Sequence, residues 1–193
     1  MPNREQVLEL LNASGAFLTG HFLLTSGRHS DRYLQCAKVF QHVRFAEPLC
    51  AMVAEPFADE GIDIVIGPAL GAIQMAYEVS RQLDCLNFFA ERENGVITLR
   101  RGFAVLPGMK VLVVEDVCTT GGTVREVMEA VRQAGGIVAG VGAIVDRTGG
   151  SLDFGVPFHA ALSIEMPSYD PDGCPICKTG LPLVKPGSRK PAP

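Results

Sequence analysis

The segment Val111-Leu-Val-Val-Glu-Asp-Val-Cys-Thr-Thr-Gly-Gly-Thr123 constrains this chain more than any other. Val111 to Val114 are all apolar and mostly β-branched, the character of a strand covered on both faces. The run ends at once in two acids, three threonines and two glycines, and a helical spacing begins at Val124. A strand buried on both faces belongs inside a mostly parallel sheet with helices on either side. Gly121 and Gly122 permit a tight turn and a close approach of backbone N–H groups to a ligand. The helix N-terminus that follows favours an anion. Glu115 and Asp116 would repel phosphate directly, so they suit sugar hydroxyls beside a phosphate cradle. The loop lacks the Gly-Lys-Ser/Thr of a Walker motif, and its glycine spacing is not that of a dinucleotide-binding turn.

The rest of the chain agrees with an α/β fold. Asn3 to Leu11 reads as an amphipathic helix, capped by Asn3 with Gln6 and stopped at Gly15. Ala16–Leu24 and Tyr33–Val39 read as strands around the turn Thr25-Ser-Gly-Arg-His-Ser30. Phe45 to Ala58 has helical spacing. Pro48 fits there only if it lies in the first turn, and Pro56 should kink or end the helix. From Ile62 strands and helices alternate: a strand to Ile66, a helix over 72–83, and strands at Cys85–Ala90 and Val96–Leu99 around Glu91-Arg-Glu-Asn-Gly95. Then come the Val111 strand, its helix, and strands at Val138–Val145 and Phe158–Ile164. Val124, Val127, Met128 and Val131 define the buried face of that helix, and Arg125, Glu126, Glu129 and Arg132 its outer face. Ligands of such sheets bind beyond the carboxyl ends of the strands. Gly67–Gly71, Glu115–Thr123 and Asp146–Gly150 all fall there, which argues for one shared site.

Bulk properties narrow the classes. At 193 residues a single domain with a full core is expected. A net charge of −4 gives no support to nucleic-acid binding. The N-terminus has no signal-peptide core, and no apolar run approaches bilayer length, so neither export nor membrane insertion is expected and the cytoplasm is. The six cysteines lie largely in apolar or strand-like contexts, as reduced thiols would.

The paired acids followed by Thr119-Thr-Gly-Gly-Thr123, between a strand and a helix, resemble the phosphoribosyl pyrophosphate (PRPP) signature of the type I phosphoribosyltransferases. The resemblance covers nearly the whole chain and is to the short bacterial orotate phosphoribosyltransferases. Besides the signature it rests on Thr25–Ser30, Gly67-Pro-Ala-Leu-Gly71, Glu91–Gly95 and Ala143-Ile-Val-Asp-Arg147. It implies a mostly parallel central sheet flanked by helices, one phosphoribosyltransferase domain over 1–181, and a small hood, mainly 1–40, above the base. A flexible tail would follow from Pro182. Purine enzymes of this superfamily usually build the hood from the other end of the chain.

The implied reaction is transfer of the 5-phosphoribosyl group from PRPP to orotate in pyrimidine biosynthesis, with magnesium. The products are orotidine 5′-monophosphate and pyrophosphate. By resemblance Glu115 and Asp116 hold the ribose hydroxyls, Asp116 nearest the reacting carbon. Thr120, Gly121, Gly122 and Thr123 bind the 5′-phosphate through N–H and hydroxyl groups, Val117, Cys118 and Thr119 also belong to the PRPP site, and Ala69, Leu70 and Gly71 present N–H groups to pyrophosphate. Thr119 and Arg147 bind orotate, the guanidinium forking onto its carboxylate. Arg92, Arg100 and Arg101 supply positive charge to the leaving group. No protein side chain need ligate magnesium directly, since PRPP carries it. The family also implies a homodimer.

The chain departs from longer members in places. Its Glu91–Arg101 loop has no lysine or histidine, and the hood lysine and pyrophosphate-loop lysine fall at Thr25 and Gly71. Other readings stand beside the family's. Arg147 could form a surface ion pair with Asp146 or Asp153, and Arg100-Arg101 could be a solvated hairpin end. The chain could use another base, or bind PRPP only as a regulator. Cys174-Pro-Ile-Cys177 resembles half a zinc knuckle that lacks a second pair. His159 or a partner chain could complete it; otherwise it is a reduced dithiol or a disulfide. His21, His29 and His42 show no metal-ligand spacing, and His29, in the hood turn, could instead touch sugar or phosphate.

Overall fold

The structure is a computed structural model that describes residues 4–24 and 26–186. The expected Asn3 cap, Thr25 and the tail from 187 lie outside the described residues. The first helix, α1 (Arg4–Ala13), buries Val7 and Leu11. It stops at Gly15, whose φ of 70° lies in the left-handed region that glycine enters without a Cβ penalty. The antiparallel hairpin β1 (Phe17–Leu23) and β2 (His29–Leu34) follows. The second strand thus begins earlier than the expected Tyr33. Cys36–Gln41 is a 3₁₀ turn rather than strand. Cys36 and Val39 bury at a spacing of three, which a 3₁₀ turn places on one side and a strand places on opposite faces.

Helix α2 (Val43–Ala54) contains Pro48 beyond its first turn, contrary to the condition set by the sequence. Pro56 sits in the 3₁₀ turn Glu55–Phe57 that ends it. The sheet follows: β3 (Ile64–Pro68), α3 (Ile73–Leu83), β4 (Leu86–Glu93), β5 (Val96–Leu99), β6 (Lys110–Cys118), α4 (Gly122–Gln133), β7 (Ile137–Asp146) and β8 (Phe158–Ser163). The strand order is β5-β4-β3-β6-β7-β8, parallel except for the β4–β5 hairpin. Asn94 and Gly95 turn that hairpin, both at positive φ as a two-residue turn of the primed type requires.

Alternate residues of the central strands enter two cores. Val65, Leu112 and Val114 pack with α1, α2 and α3 on one face, while Ile64, Ile66, Val111 and Val113 pack with α4 on the other. This is the two-sided burial that the apolar runs predict. On β7 a Cβ at Gly142 would come 2.5 Å from Val53 Cγ1. Helix α2 therefore lies directly on the β7 backbone, where only a missing side chain leaves room.

Candidate active site

Parallel register brings the three loops together. Ile66 pairs with Val113, so Pro68 stands level with Glu115, and Cys118 pairs with Asp146. The ends of β3, β6 and β7 therefore share one edge of the sheet. Strand β6 runs on to Cys118, further than Val114, and carries both acids itself. Ladder pairing on to Cys118 and Asp146 holds Glu115 and Asp116 more rigidly than a loop would.

Both acids are half-buried. Asp116 Oδ1 accepts the Val117 N–H at 2.8 Å. A Cβ on Gly71 would lie 3.3 Å from Asp116 Oδ2, so the β3–α3 loop passes against this carboxylate. Within that loop the Ala69 N–H is already bonded to the Ala90 carbonyl at 2.7 Å. The expectation that Ala69 offers its N–H to a ligand is therefore corrected. Leu70 and Gly71 donate to no acceptor among the described residues.

The β6–α4 loop closes a small hollow lined by Glu115, Val117, Cys118, Thr119, Thr120, Gly121, Gly122 and Thr123. Gly121 has a φ of 73°, and a Cβ there would lie 2.7 Å from Phe154 Cε1. Glycine is demanded both by conformation and by space. Thr119 and Thr120 are exposed, whereas Cys118 points into the core. Burial, followed by Glu115, Asp146 and Asp116, pushes the Cys118 thiol up to about 12. Burial, then Asp116 and Glu115, likewise raises Cys36 well above the ordinary thiol range. Cys118 thus meets a ligand at most through its backbone, and its carbonyl is taken by the Arg147 N–H at 2.9 Å.

Arg147 follows β7 directly. Asp146 accepts from the Thr148 N–H and hydroxyl and from the Gly150 N–H, and Asp153 accepts from the Gly155 N–H. Neither forms an ion pair with Arg147 among the described residues, so the surface-pair reading of Arg147 fails. The side chain is half-buried, and its Nε is buried without a hydrogen-bond partner. Burial lowers the guanidinium pKa below its usual range, with Tyr33 of β2 acting the other way. Tyr33 is a neighbour that no sequence motif announced.

The three loop arginines all have acidic partners. Arg92 pairs with Glu126 of α4 at 2.6 Å, Arg100 with Glu93 at 3.2 Å, and Arg101 with Glu91 at 3.1 Å. All are substantially exposed, and such pairs contribute only about 0–1 kcal/mol each. A multiply charged phosphate ligand can therefore displace them.

Comparison with known proteins agrees with this geometry. The phosphoribosyl transferase domain family matches residues 30–153, which defines the class of the fold and loop. The orotate phosphoribosyltransferase of Pelotomaculum thermopropionicum is 59% identical over 187 residues, covering 97% of this chain and 98% of that one. That of Thermotoga maritima is 49% identical over 183 residues, 95% of this chain and 98% of its own. Among solved structures, orotate phosphoribosyltransferase from Mycobacterium tuberculosis, in complex with inorganic phosphate, superposes with a TM-score of 0.68 at 27% identity, covering 83% of this chain and 95% of that one. The Aeropyrum pernix enzyme gives 0.67 at 27% identity, with 81% and 93% coverage. The chain belongs to the phosphoribosyl transferase domain family and, within it, to the orotate phosphoribosyltransferases.

Proposed function

We propose that this chain transfers the 5-phosphoribosyl group of PRPP to orotate, giving orotidine 5′-monophosphate and pyrophosphate on the route to pyrimidine nucleotides. The observation that carries the choice of base is Arg147. A half-buried guanidinium with an unpartnered Nε, tied at its backbone to Cys118 and sensing Tyr33 of β2, suits a planar carboxylate. Adenine, hypoxanthine and uracil have no such group.

The chemistry asks for position and charge more than for a strong base. Breaking the C1–pyrophosphate bond leaves a cationic sugar and a highly charged leaving group. In this reading Glu115 and Asp116 grip the ribose hydroxyls, and their negative charge favours the cationic sugar. Thr120 to Thr123 hold the 5′-phosphate at the N-terminus of α4. Leu70 and Gly71 offer N–H groups to pyrophosphate, and Arg92, Arg100 and Arg101 turn from their acidic partners toward it. Magnesium bound with PRPP supplies Lewis-acid neutralisation of the leaving group. Two half-buried carboxylates fit that role, because a cation held mostly by phosphate and ribose oxygens needs few protein ligands.

The unit is read as one domain over 1–181 with its hood mainly in 1–40, working as a homodimer in the cytoplasm. No helix among the described residues is long and apolar enough to cross a membrane. The test is a panel of orotate, uracil, adenine and hypoxanthine, each offered with PRPP and magnesium. Turnover confined to orotate is expected. Turnover of another base would remove Arg147's assignment, and PRPP binding without any turnover would mark a regulator.

A further inference from the structure

Four metal-ligating side chains far apart in sequence meet where the C-terminal segment packs on the β1–β2 hairpin. They are His21 of β1, His29 of β2, and Cys174 and Cys177 of the C-terminal segment, with ligand atoms all within 4.8 Å of one another. His21 Nε2 lies 3.0 Å from His29 Nδ1, and both cysteine Sγ atoms lie 3.6 Å from His21 Nε2. Cys177 Sγ is 3.3 Å from His29 Nδ1. In a tetrahedral zinc site, Zn–N of about 2.0–2.1 Å and Zn–S of about 2.3 Å set ligand separations of about 3.3–3.8 Å. The four separations of 3.0–3.6 Å fall at or just below that range, and the widest in the cluster, 4.8 Å, lies about 1 Å beyond it.

The surroundings also suit a metal. His21, His29 and Cys174 are 3%, 5% and 2% exposed. His21 Nδ1 donates to the Leu181 carbonyl at 2.9 Å, which leaves Nε2 as the lone pair facing the other three groups. A zinc-bound histidine usually has its second nitrogen fixed by a carbonyl in this way. The sulfur–imidazole donor set excludes magnesium and calcium, which take oxygen ligands. Four protein donors leave no open position, so the site is structural. His159 plays no part: it packs edge-on against Phe57. The missing half of the zinc knuckle comes from two histidines that the β1–β2 hairpin brings together across eight residues.

We propose that His21, His29, Cys174 and Cys177 bind one structural zinc ion that clasps the C-terminal segment to the hairpin. Binding releases the two thiol protons and forms a neutral centre, two thiolates balancing the ion. The clasp reinforces contacts already present along the same seam. Leu23 N–H bonds to the Val184 carbonyl and Val184 N–H to the His21 carbonyl, while His29 and Tyr169 exchange both backbone bonds. The Arg28 guanidinium donates to Ser168 and pairs with Asp170. Because β2 also carries Tyr33, the ion would set the position of the hairpin beside Arg147.

The test uses the full chain without a histidine tag, purified without chelator. Elemental analysis should give about one zinc per chain, and cobalt replacement should give the visible bands of a tetrahedral sulfur–nitrogen site. Cys177→Ser and His29→Ala should each lose the metal, and chelation should lower the thermal midpoint until zinc, but not magnesium, restores it. Two outcomes overturn the proposal. One is a chain with both thiols free and no bound zinc after growth with added zinc. The other is a Cys174–Cys177 disulfide, seen as two missing hydrogens by mass. The wild-type cobalt spectrum decides the matter even if a variant fails to fold.

Discussion

Replacing Arg147 by alanine separates base recognition from PRPP binding. The guanidinium is half-buried, its Nε has no hydrogen-bond partner, and its backbone N–H is tied to Cys118 at 2.9 Å. In the proposed reading the side chain therefore works on the ligand and not on the fold. A charge-assisted hydrogen bond contributes about 1.5–3 kcal/mol net, so the KM for orotate at saturating PRPP should rise about 10- to 150-fold. PRPP affinity, measured by calorimetry, should change less than about twofold, as expected for a group outside its contacts. The thermal midpoint should stay within about 2–4 °C of the parent or rise, because burial already disfavours this charge. Arg147→Lys keeps the charge but not the fork and should fall between. A parallel loss of orotate and PRPP affinity, or a fall in midpoint well beyond that range, would refute the reasoning.

Gly121→Ala meets both a positive φ and the Phe154 ring at 2.7 Å. It should cost about 2–4 kcal/mol in chemical denaturation, and PRPP binding should weaken with it. Glu126→Gln releases Arg92 from its ion pair; PRPP should bind about two- to fivefold more tightly by titration, with the gain shrinking as salt rises. Cys50 and Cys118 are both pushed up to about 12, chiefly by burial. The folded state holds their protons more tightly than the unfolded chain, so that stability is full below the ordinary thiol value of 9.0. It is lost as pH climbs toward 12. Denaturation midpoints should fall over that range, and Cys118→Ala should flatten the fall; an unchanged slope would contradict it.

The sheet was legible because burial on both faces leaves a plain mark. Val111–Val114 and Val138–Val145 are continuous apolar runs, and Gly121-Gly122 before an amphipathic helix fixes the loop between them. What the pattern could not show was where regular pairing stops once polar residues enter. Glu115 and Asp116 look like loop residues, yet pairing with β7 carries the strand past them to Cys118. The commitment of Ala69's N–H to Ala90 is likewise a tertiary fact, with no signal in Gly-Pro-Ala-Leu-Gly. The arginines were visible as charge, but β4–β5 pairing is what brings Glu93 to Arg100 and Glu91 to Arg101, and Glu126 reaches Arg92 only because that hairpin lies against α4. The four-ligand cluster was the least legible. His21 and His29 have no ligand spacing of their own, and only cross-strand pairing and the returning C-terminal segment bring them to Cys174 and Cys177.

The most direct measurement is the fate of orotate when the purified chain is mixed with PRPP and magnesium, followed by mass spectrometry. Orotidine 5′-monophosphate and pyrophosphate should appear in equal amounts, with neither formed when orotate, PRPP or magnesium is left out. Pyrophosphate release without the nucleotide, or no reaction by a folded chain that binds PRPP, would contradict the proposed transfer.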